Sequence, residues 1–448
     1  MLIVNPDLRI SKYYGKKIYS VVIPTESNGI WDVNEVIYKL LQEINDGKIK
    51  TEEKLSRLIS RSIIRKLFDK RVIIDSDVPS YNENVLGLFK GKFPLRSLTI
   101  ELTNACNLNC IHCYGRFGQP SQKKMYSFED IVKLKPELDM LHTVEVRLSG
   151  GECFLNPDFE RIATYFLENG FWVSIYTNGL LTEKIIQFAE ATKKYHYNMG
   201  ISLDGFEHVH DNIRGRETAF ENTIATLTKL KEYPNIDVFI ETAVMRQNID
   251  NVIQIRQLVM DLFPKYEHKI FIATPANNSD FSFDYEEIPR LKERYPELFN
   301  EYFPINKCSL FQGKRHRCQG GVTNGVLTVD GVMKICPLAE EDGFIIGNTI
   351  DSSLTAIWNN PNDSIKEFRR EYIQKTHQCK KCKEKRSCGV KNCRVEALRL
   401  TGDCKNANPY TCMVVKNRYD DRYFIVMCEC AGMLSMSADI GIIEADTH

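Results

Sequence analysis

The residues most able to do chemistry stand in one short stretch, ELTNACNLNCIHCYG (101–115), which places Cys106, Cys110 and Cys113 within eight positions. Three thiolates at such short spacings can wrap a cluster only a few ångströms across. They would hold three irons of a [4Fe–4S] cube and leave the fourth iron open to an outside ligand. A structural zinc site is the alternative, but it is normally closed by a fourth Cys or His. The only nearby candidate, His112, sits directly between Ile111 and Cys113. A second concentration of thiols follows residue 300, with eleven of the fifteen cysteines there. Its densest part is the run HQCKKCKEKRSCGVKNC (377–393). Clustered Cys in a reducing compartment reads as metal-binding or catalytic rather than as disulfides.

Bulk composition narrows the classes. The chain has 448 residues and zero formal net charge, so two to four domains are expected, and nothing global points to nucleic acid or an anionic membrane. The opening residues lack a basic segment followed by an apolar one, so no signal peptide is expected. No apolar run approaches the roughly 20 residues of a spanning helix. The expected location is the cytoplasm.

Positioning the first thiols requires a strand–helix rhythm. Strand candidates are SLTIELT (97–103), VEVRLSG (144–150), WVSIYTNG (172–179), MGISLDG (199–205), DVFIETAV (237–244) and KIFIATP (269–275). Helical or charged stretches separate them, the pattern of βαβ units on a parallel sheet. Six strands rather than eight predict an α/β fold built on an open, partial (β/α)6 barrel. Functional groups in such folds lie at the C-terminal strand ends, and the cysteine loop directly follows the first strand.

Residues 1–80 read as a separate winged-helix-like domain. YYGKKIYSVVIP predicts a strand pair turning at Gly15. Asp32 is expected to cap a helix with Val33, Val36, Ile37, Leu40, Leu41 and Ile44 on one face. A short helix follows Thr51 with Leu55, Leu58 and Ile59, and a third carries Ile63, Ile64, Leu67 and Phe68. VIID (72–75) returns as a strand. Residues 81–94 form the linker, 95–300 the barrel and 301–430 a Cys-rich iron–sulfur domain with one short helix in SLTAIWNNP (353–361). Residues 431–448 form a tail.

On these residues the chain resembles the radical S-adenosylmethionine (SAM) family. Cys106, Cys110 and Cys113 match its CxxxCxxC motif. SGGEC (149–153) follows the second strand and resembles its GGE motif, which implies that Gly150, Gly151 and Glu152 bind the SAM amino group. TNG (177–179) ends the third strand and contributes Asn178. SLDG (202–205) ends the fourth, implying Ser202 and Asp204 near the ribose. HDNIRG (210–215) implies Arg214 near the SAM carboxylate. Cys153 stands where many relatives have Pro and reads as a small buried thiol. The chemistry implied is reductive cleavage of SAM to a 5′-deoxyadenosyl radical that abstracts a hydrogen atom from an unactivated C–H. No nucleophilic catalytic residue is assigned.

The later cysteines resemble a SPASM domain with two auxiliary [4Fe–4S] clusters, giving three clusters in all. Cys318, twelve residues, Gly331, four residues and Cys336 precede Cys379-x2-Cys382-x5-Cys388-x4-Cys393, and Cys412 follows. The last step of the run has four intervening residues where three are usual. The resemblance groups Cys318, Cys336 and Cys393 with Cys308, and Cys379, Cys382 and Cys388 with Cys412. Cys404 competes with Cys412, and Cys428 and Cys430 lie beyond the pattern. A zinc ribbon is the alternative for the run.

The N-terminal domain resembles the PqqD-like element that recognises leader peptides by β-augmentation, with strand 18–23 and helix 60–70 as its expected contact surface. The basic residues Arg57, Arg61, Arg65, Lys66, Lys70 and Arg71 alternate with acidic ones, so leader binding is preferred over DNA. Together these features imply a maturase of a ribosomally made precursor peptide that installs a thioether from Cys sulfur to carbon. Expected partners are the precursor peptide and a one-electron donor such as flavodoxin or ferredoxin, with no nucleic acid or membrane. The rivals are carbon–carbon crosslinking, sulfatase-type maturation and a DNA-binding iron–sulfur redox sensor.

Overall fold

The computed structural model describes residues 1–6, 8–12, 18–22, 30–78, 80, 93–118, 122–273, 280–298, 319–371, 382, 393–409 and 412–413. Gly15, most of the 81–94 linker and the 431–448 tail lie outside the described residues.

The barrel is set by strands that are nearly all buried, the last of them, β11, only partly so. β6 (Ser97–Glu101), β7 (Glu145–Ser149), β8 (Trp172–Thr177), β9 (Tyr197–Ser202), β10 (Ile236–Val244) and β11 (Glu267–Ile272) lie side by side in chain order, all parallel. In runs such as LTI and VSI the apolar residues face the covering helices, while polar Thr99 and Ser174 alternate with them on the other side. Those helices are α4 (Phe128–Met140), α5 (Phe159–Glu168), α6 (Thr182–Ala191), α7 (Glu207–Arg214), α8 (Ala219–Leu230) and α9 (Val252–Leu262). Ser127 and Asp130 close a capping box at the start of α4, and Gly215 ends α7 in the left-handed region. α10 (Ile288–Arg294) follows the last parallel strand.

Three further strands lengthen this sheet at its β6 edge. β12 (Asn324–Leu327) pairs parallel with β6, and β13 (Val332–Lys334) and β14 (Ile345–Asn348) continue antiparallel. The sequence reading missed all three; they make β6, the first strand of the predicted barrel, an interior strand of nine. The predicted short helix is present as α11 (Leu354–Asn359), joined by α12 (Asp363–Glu371) and α13 (Arg394–Thr401). Leu400 and Met413 pack against Val244, Ile272 and Ile288 on the opposite side of the barrel. The C-terminal part therefore touches the barrel at both of its open edges.

The N-terminal unit has its own core, centred on Leu8, Val21, Ile37, Leu41, Leu55 and Ile73. β1 (Leu2–Val4) pairs antiparallel with β5 (Ile73–Asp75). β2 (Arg9–Lys12), β3 (Ile18–Val22) and β4 (Ile30–Asn34) form an antiparallel sheet in that order. α1 (Glu35–Asn45), α2 (Glu52–Ser56) and α3 (Arg61–Asp69) follow. The expected cap differs: Asn34 accepts from Ile37 N at 3.0 Å, while Asp32 lies within β4. Val36 and Leu58 are exposed rather than in the core. The expected contact strand also needs correcting. β3 is bonded on both sides, by β2 and by β4, so its backbone is fully engaged. Within this three-stranded sheet the outer edges of β2 and β4 have no partner strand among the described residues.

Arg9 fastens this unit to the barrel. Its guanidinium donates to Asp139 Oδ1 (2.8 Å), Thr143 O (3.2 Å) and Asn169 O (3.0 Å), and lies 3.5 Å over the Phe171 ring. Those groups precede β7 and β8, so the unit docks at the end of the barrel opposite the cysteine loop. Arg9→Leu should weaken this docking by roughly 3 kcal/mol, because a buried, multiply bonded cation is removed and its partners are stranded. Faster hydrogen exchange at residues 9–12 and 169–172, with the barrel core unchanged, is the expected readout.

Candidate functional site

The C-terminal ends of the parallel strands surround a cavity of about 230 Å³. Cys106, Cys110 and Cys113 all line it, together with Gly150, Gly151, Asn178, Ser202, Asp204 and Arg214. The fold thus brings these predicted residues together on one cavity. Among the described residues, no three Cys, His or carboxylate side chains converge on a point as a single-ion site requires.

The first two glycines of SGGEC are needed for close approach to the cysteine loop. A Cβ on Gly150 would lie 2.4 Å from Thr103 O, and one on Gly151 2.2 Å from Ala105 O. Gly150 also has φ +130°, a conformation costly for other residues. Backbone bonds then stitch the two strand ends together: Gly151 N donates to Thr103 O (2.8 Å) and Glu152 N to Ala105 O (2.9 Å). Cys106 is the next residue along.

Glu152 occupies a different position from the one its motif implied. It does not line the cavity, and it is buried. Its carboxylate accepts from Phe154 N (3.1 Å), Thr177 Oγ1 (2.9 Å) and Asn178 N (2.8 Å). Burial pushes its pKa up, against these hydrogen bonds. Asn178 in turn donates from Nδ2 to Asn107 Oδ1 (2.7 Å) inside the cysteine loop. Glu152 therefore reaches the cavity only through its neighbours. Glu152→Gln would set an amide N–H against a backbone donor, a penalty of roughly 1–3 kcal/mol. The expected result is about tenfold weaker SAM binding, measured by equilibrium dialysis, although the side chain faces away.

α7 clamps the loop from the other side. Asn109 N donates to Arg214 O (3.1 Å) and Ile111 N to Ile213 O (3.0 Å). The Arg214 guanidinium is buried, 2.6 Å from Asp204 Oδ2 and 3.8 Å from Cys110 Sγ. Burial opposes ionisation of Asp204, yet Arg214 and the nearby histidines outweigh it and lower its pKa. Burial likewise opposes the charge on Arg214, but Asp204 and Cys110 raise its pKa further. Burial pushes the Cys106 thiol up to about 12, and raises Cys110 and Cys113 as well. Iron coordination would reverse this, because a bound cation deprotonates its thiol ligands. The donor set fits an iron–sulfur cluster: three thiols on one cavity wall, with a fixed cation against one sulfur.

Several lining residues escaped the sequence reading, among them Arg147, Tyr176 and Glu241. Arg147 donates to Glu145 at 2.7 and 2.8 Å. Glu241 makes no side-chain hydrogen bond to the described residues; burial pushes its pKa up and Lys269 pulls it back. The available signal was polar residues at period two inside otherwise apolar strands, which marks the lumen-facing side.

The auxiliary cysteines are only partly visible. Cys308, Cys318, Cys379 and Cys388 lie outside the described residues, as do Cys428 and Cys430. Cys336 and Cys393 are buried in the main core, and Cys404 packs against it. Cys382 and Cys412 are half-buried. Pro337, adjacent to Cys336, lines the cavity. Cys153 is the expected buried thiol, its Sγ 3.3 Å from Tyr176 O.

An open parallel barrel with a three-thiol loop after its first strand defines the class. Residues 100–259 match the Radical SAM superfamily, and residues 318–383 match the iron–sulfur cluster-binding domain named SPASM. The chain is a radical SAM enzyme with a SPASM domain. It is 28% identical to the AdoMet-dependent heme synthase of Methanosarcina barkeri, over 70% of this chain and 95% of that protein. It is 26% identical to the antilisterial bacteriocin subtilosin biosynthesis protein AlbA of Bacillus subtilis, over 74% of this chain and 77% of that one. Its fold is similar to that of Streptococcus suis SuiB bound to the precursor peptide SuiA, with TM-score 0.64 and 15% identity, over 92% of this chain and all of that one. Among the described residues, no helix is long and apolar enough to cross a membrane.

Proposed function

We propose that this chain is a cytoplasmic maturase that forms an intramolecular thioether, Cys sulfur to carbon, in a ribosomally synthesised precursor peptide. The observation that carries this reading is the N-terminal unit: a small antiparallel sheet, β2-β3-β4, whose outer strands have no further partner strand among the described residues, fastened to a radical SAM barrel. Such an edge suits a leader peptide adding as a strand, in the manner of a PqqD-like, winged-helix element. β4 or β2 offers that edge in place of β3. The similarity to AlbA, a bacteriocin biosynthesis protein, supports a peptide substrate.

In this reading Cys106, Cys110 and Cys113 hold one [4Fe–4S] cluster, and SAM lies against Gly150, Gly151 and Ser202. Two auxiliary clusters use Cys308, Cys318, Cys336 and Cys393, and Cys379, Cys382, Cys388 and Cys412. When bound, cluster and SAM would supply a 5′-deoxyadenosyl radical that takes one hydrogen atom from a peptide carbon; joining that carbon to the Cys sulfur releases the thiol proton and one electron, for which an auxiliary cluster would be the acceptor. The chain's own residues hold the loop, bury the cavity and keep its charges paired. A flavodoxin or ferredoxin supplies the electron.

The leader edge and the cavity lie at opposite ends of the barrel. Parallel strands of about six residues span roughly 20 Å, so at least about six extended peptide residues must separate leader from modified core. Anaerobic co-expression with a candidate precursor peptide, sought among small open reading frames beside this gene, followed by mass spectrometry, tests the reading. A two-hydrogen loss with no alkylatable Cys is expected, and it should vanish when the spacer is cut below that length. A two-hydrogen loss with every Cys still alkylatable would mean a carbon–carbon crosslink instead. An unchanged peptide, with SAM intact under reductant, would overturn the proposal.

A further inference from the structure

A buried ion pair touches the cysteine loop, and stability is a poor reason for it. Taking two charges out of water costs about as much as their attraction returns. Arg214 and Asp204 are 8% and 1% exposed. One guanidinium nitrogen lies 2.6 Å from Asp204 Oδ2, and another donates toward Cys110 Sγ at 3.8 Å. The pair is fixed at both ends. Asp204 Oδ1 accepts from Ala243 N at 3.0 Å. The Arg214 carbonyl accepts from Asn109 N at 3.1 Å, within the loop itself. The next residue, Gly215, has φ +66°, and a Cβ there would meet Asn109 O at 2.6 Å. The guanidinium is therefore held at the sulfur rather than free to swing toward solvent.

We infer that Arg214 is a positioning residue that sets the reduction potential of the cluster held by this loop, with Asp204 limiting how much of its charge the sulfur feels. This rests on the reading of Cys106, Cys110 and Cys113 as cluster ligands. Reduction adds one negative charge to the cluster. A buried cation donating to a ligand sulfur favours the reduced form, and potentials of such clusters respond to net charge and to hydrogen bonds at sulfur. A carboxylate bound to that cation works in the opposite direction.

The test is a potentiometric titration of the anaerobically reconstituted full chain, following the paramagnetic signal that SAM perturbs. Arg214→Met should move the midpoint to a more negative potential, and Arg214→Lys should restore part of the shift. Asp204→Asn should move it to a more positive one. A purely structural pair would shift both variants the same way or only lower iron content, and either result overturns the inference. An unchanged midpoint in Arg214→Met with weaker SAM binding would also overturn it, assigning Arg214 to the SAM carboxylate instead. If Arg214→Met loses its iron, Arg214→Lys and Asp204→Asn decide by the sign of their shifts. Failure of the underlying reading looks different: Cys106→Ala would then retain the wild-type iron content and the SAM-perturbed signal.

Discussion

Cys110→Ala is expected to remove about four irons per chain and to abolish SAM cleavage, a loss of at least about a thousandfold. With three clusters the wild type should hold about twelve irons and the variant about eight. The reason is geometric. Cys110 is the middle thiol of the loop, lines the cavity and takes the contact from Arg214. The backbone on either side of it is pinned, Asn109 to Arg214 and Ile111 to Ile213. A neighbouring residue has no freedom to move in and replace the sulfur. Cys153→Ala is the matched control. That thiol is more deeply buried than Cys110, makes only weak sulfur contacts, to Tyr176 O and Glu152 Oε1, and does not line the cavity. It should cost about 1 kcal/mol of stability and leave iron content and SAM cleavage near wild type. Iron analysis and anaerobic assay of released 5′-deoxyadenosine measure both. Equal losses in the two variants would mean that removing a buried thiol outside the loop is as damaging as removing one within it, and the assignment of Cys110 would fail.

The barrel was legible because its central strands are nearly all buried. SLTIELT, VEVRLSG and WVSIYTNG read as apolar runs ended by polar residues, and β6, β7 and β8 lie inside them. The cysteine loop was legible for the same reason: its position after the first strand fixes its place on the molecule. Pairing over distance was not legible. β1 meets β5 some seventy positions later, and β12 to β14 are strands of only three or four residues. Segments this short carry too little periodicity to stand out from loops. Motifs also gave residue type without direction. The GGE motif implied a SAM contact for Glu152, whose carboxylate faces Thr177 and Asn178, and Arg214 lines the cavity while also meeting Asp204 and Cys110. Which way a buried charge turns depends on partners 25 or 100 residues away, and a single sequence does not display them. Arg9 illustrates this again. Nothing in RISK distinguishes a solvated arginine from one inserted between α4 and the start of β8.

Gly151→Ala should be nearly as damaging as loss of a cysteine, although it removes no ligand. The new methyl carbon would stand 2.2 Å from Ala105 O and 3.1 Å from Cys106 Cβ. The first contact is with backbone, which cannot rotate aside as a side chain can. Relief would require separating the ends of β6 and β7. Two backbone hydrogen bonds hold them there, Gly151 N to Thr103 O at 2.8 Å and Glu152 N to Ala105 O at 2.9 Å. Overpacking of this kind costs about 1–3 kcal/mol or more, and breaking either bond adds roughly 1 kcal/mol. The strain falls on the residue next to Cys106, so the expected result is at least a hundredfold loss of SAM affinity with partial loss of iron. Gly343→Ala is the control, since a Cβ there has nothing within 4 Å; it should behave as wild type. Equilibrium dialysis with labelled SAM, beside iron analysis, reads both variants. Normal affinity in Gly151→Ala would mean that the two strand ends part easily. The glycines would then serve the ligand directly rather than the approach of the loop.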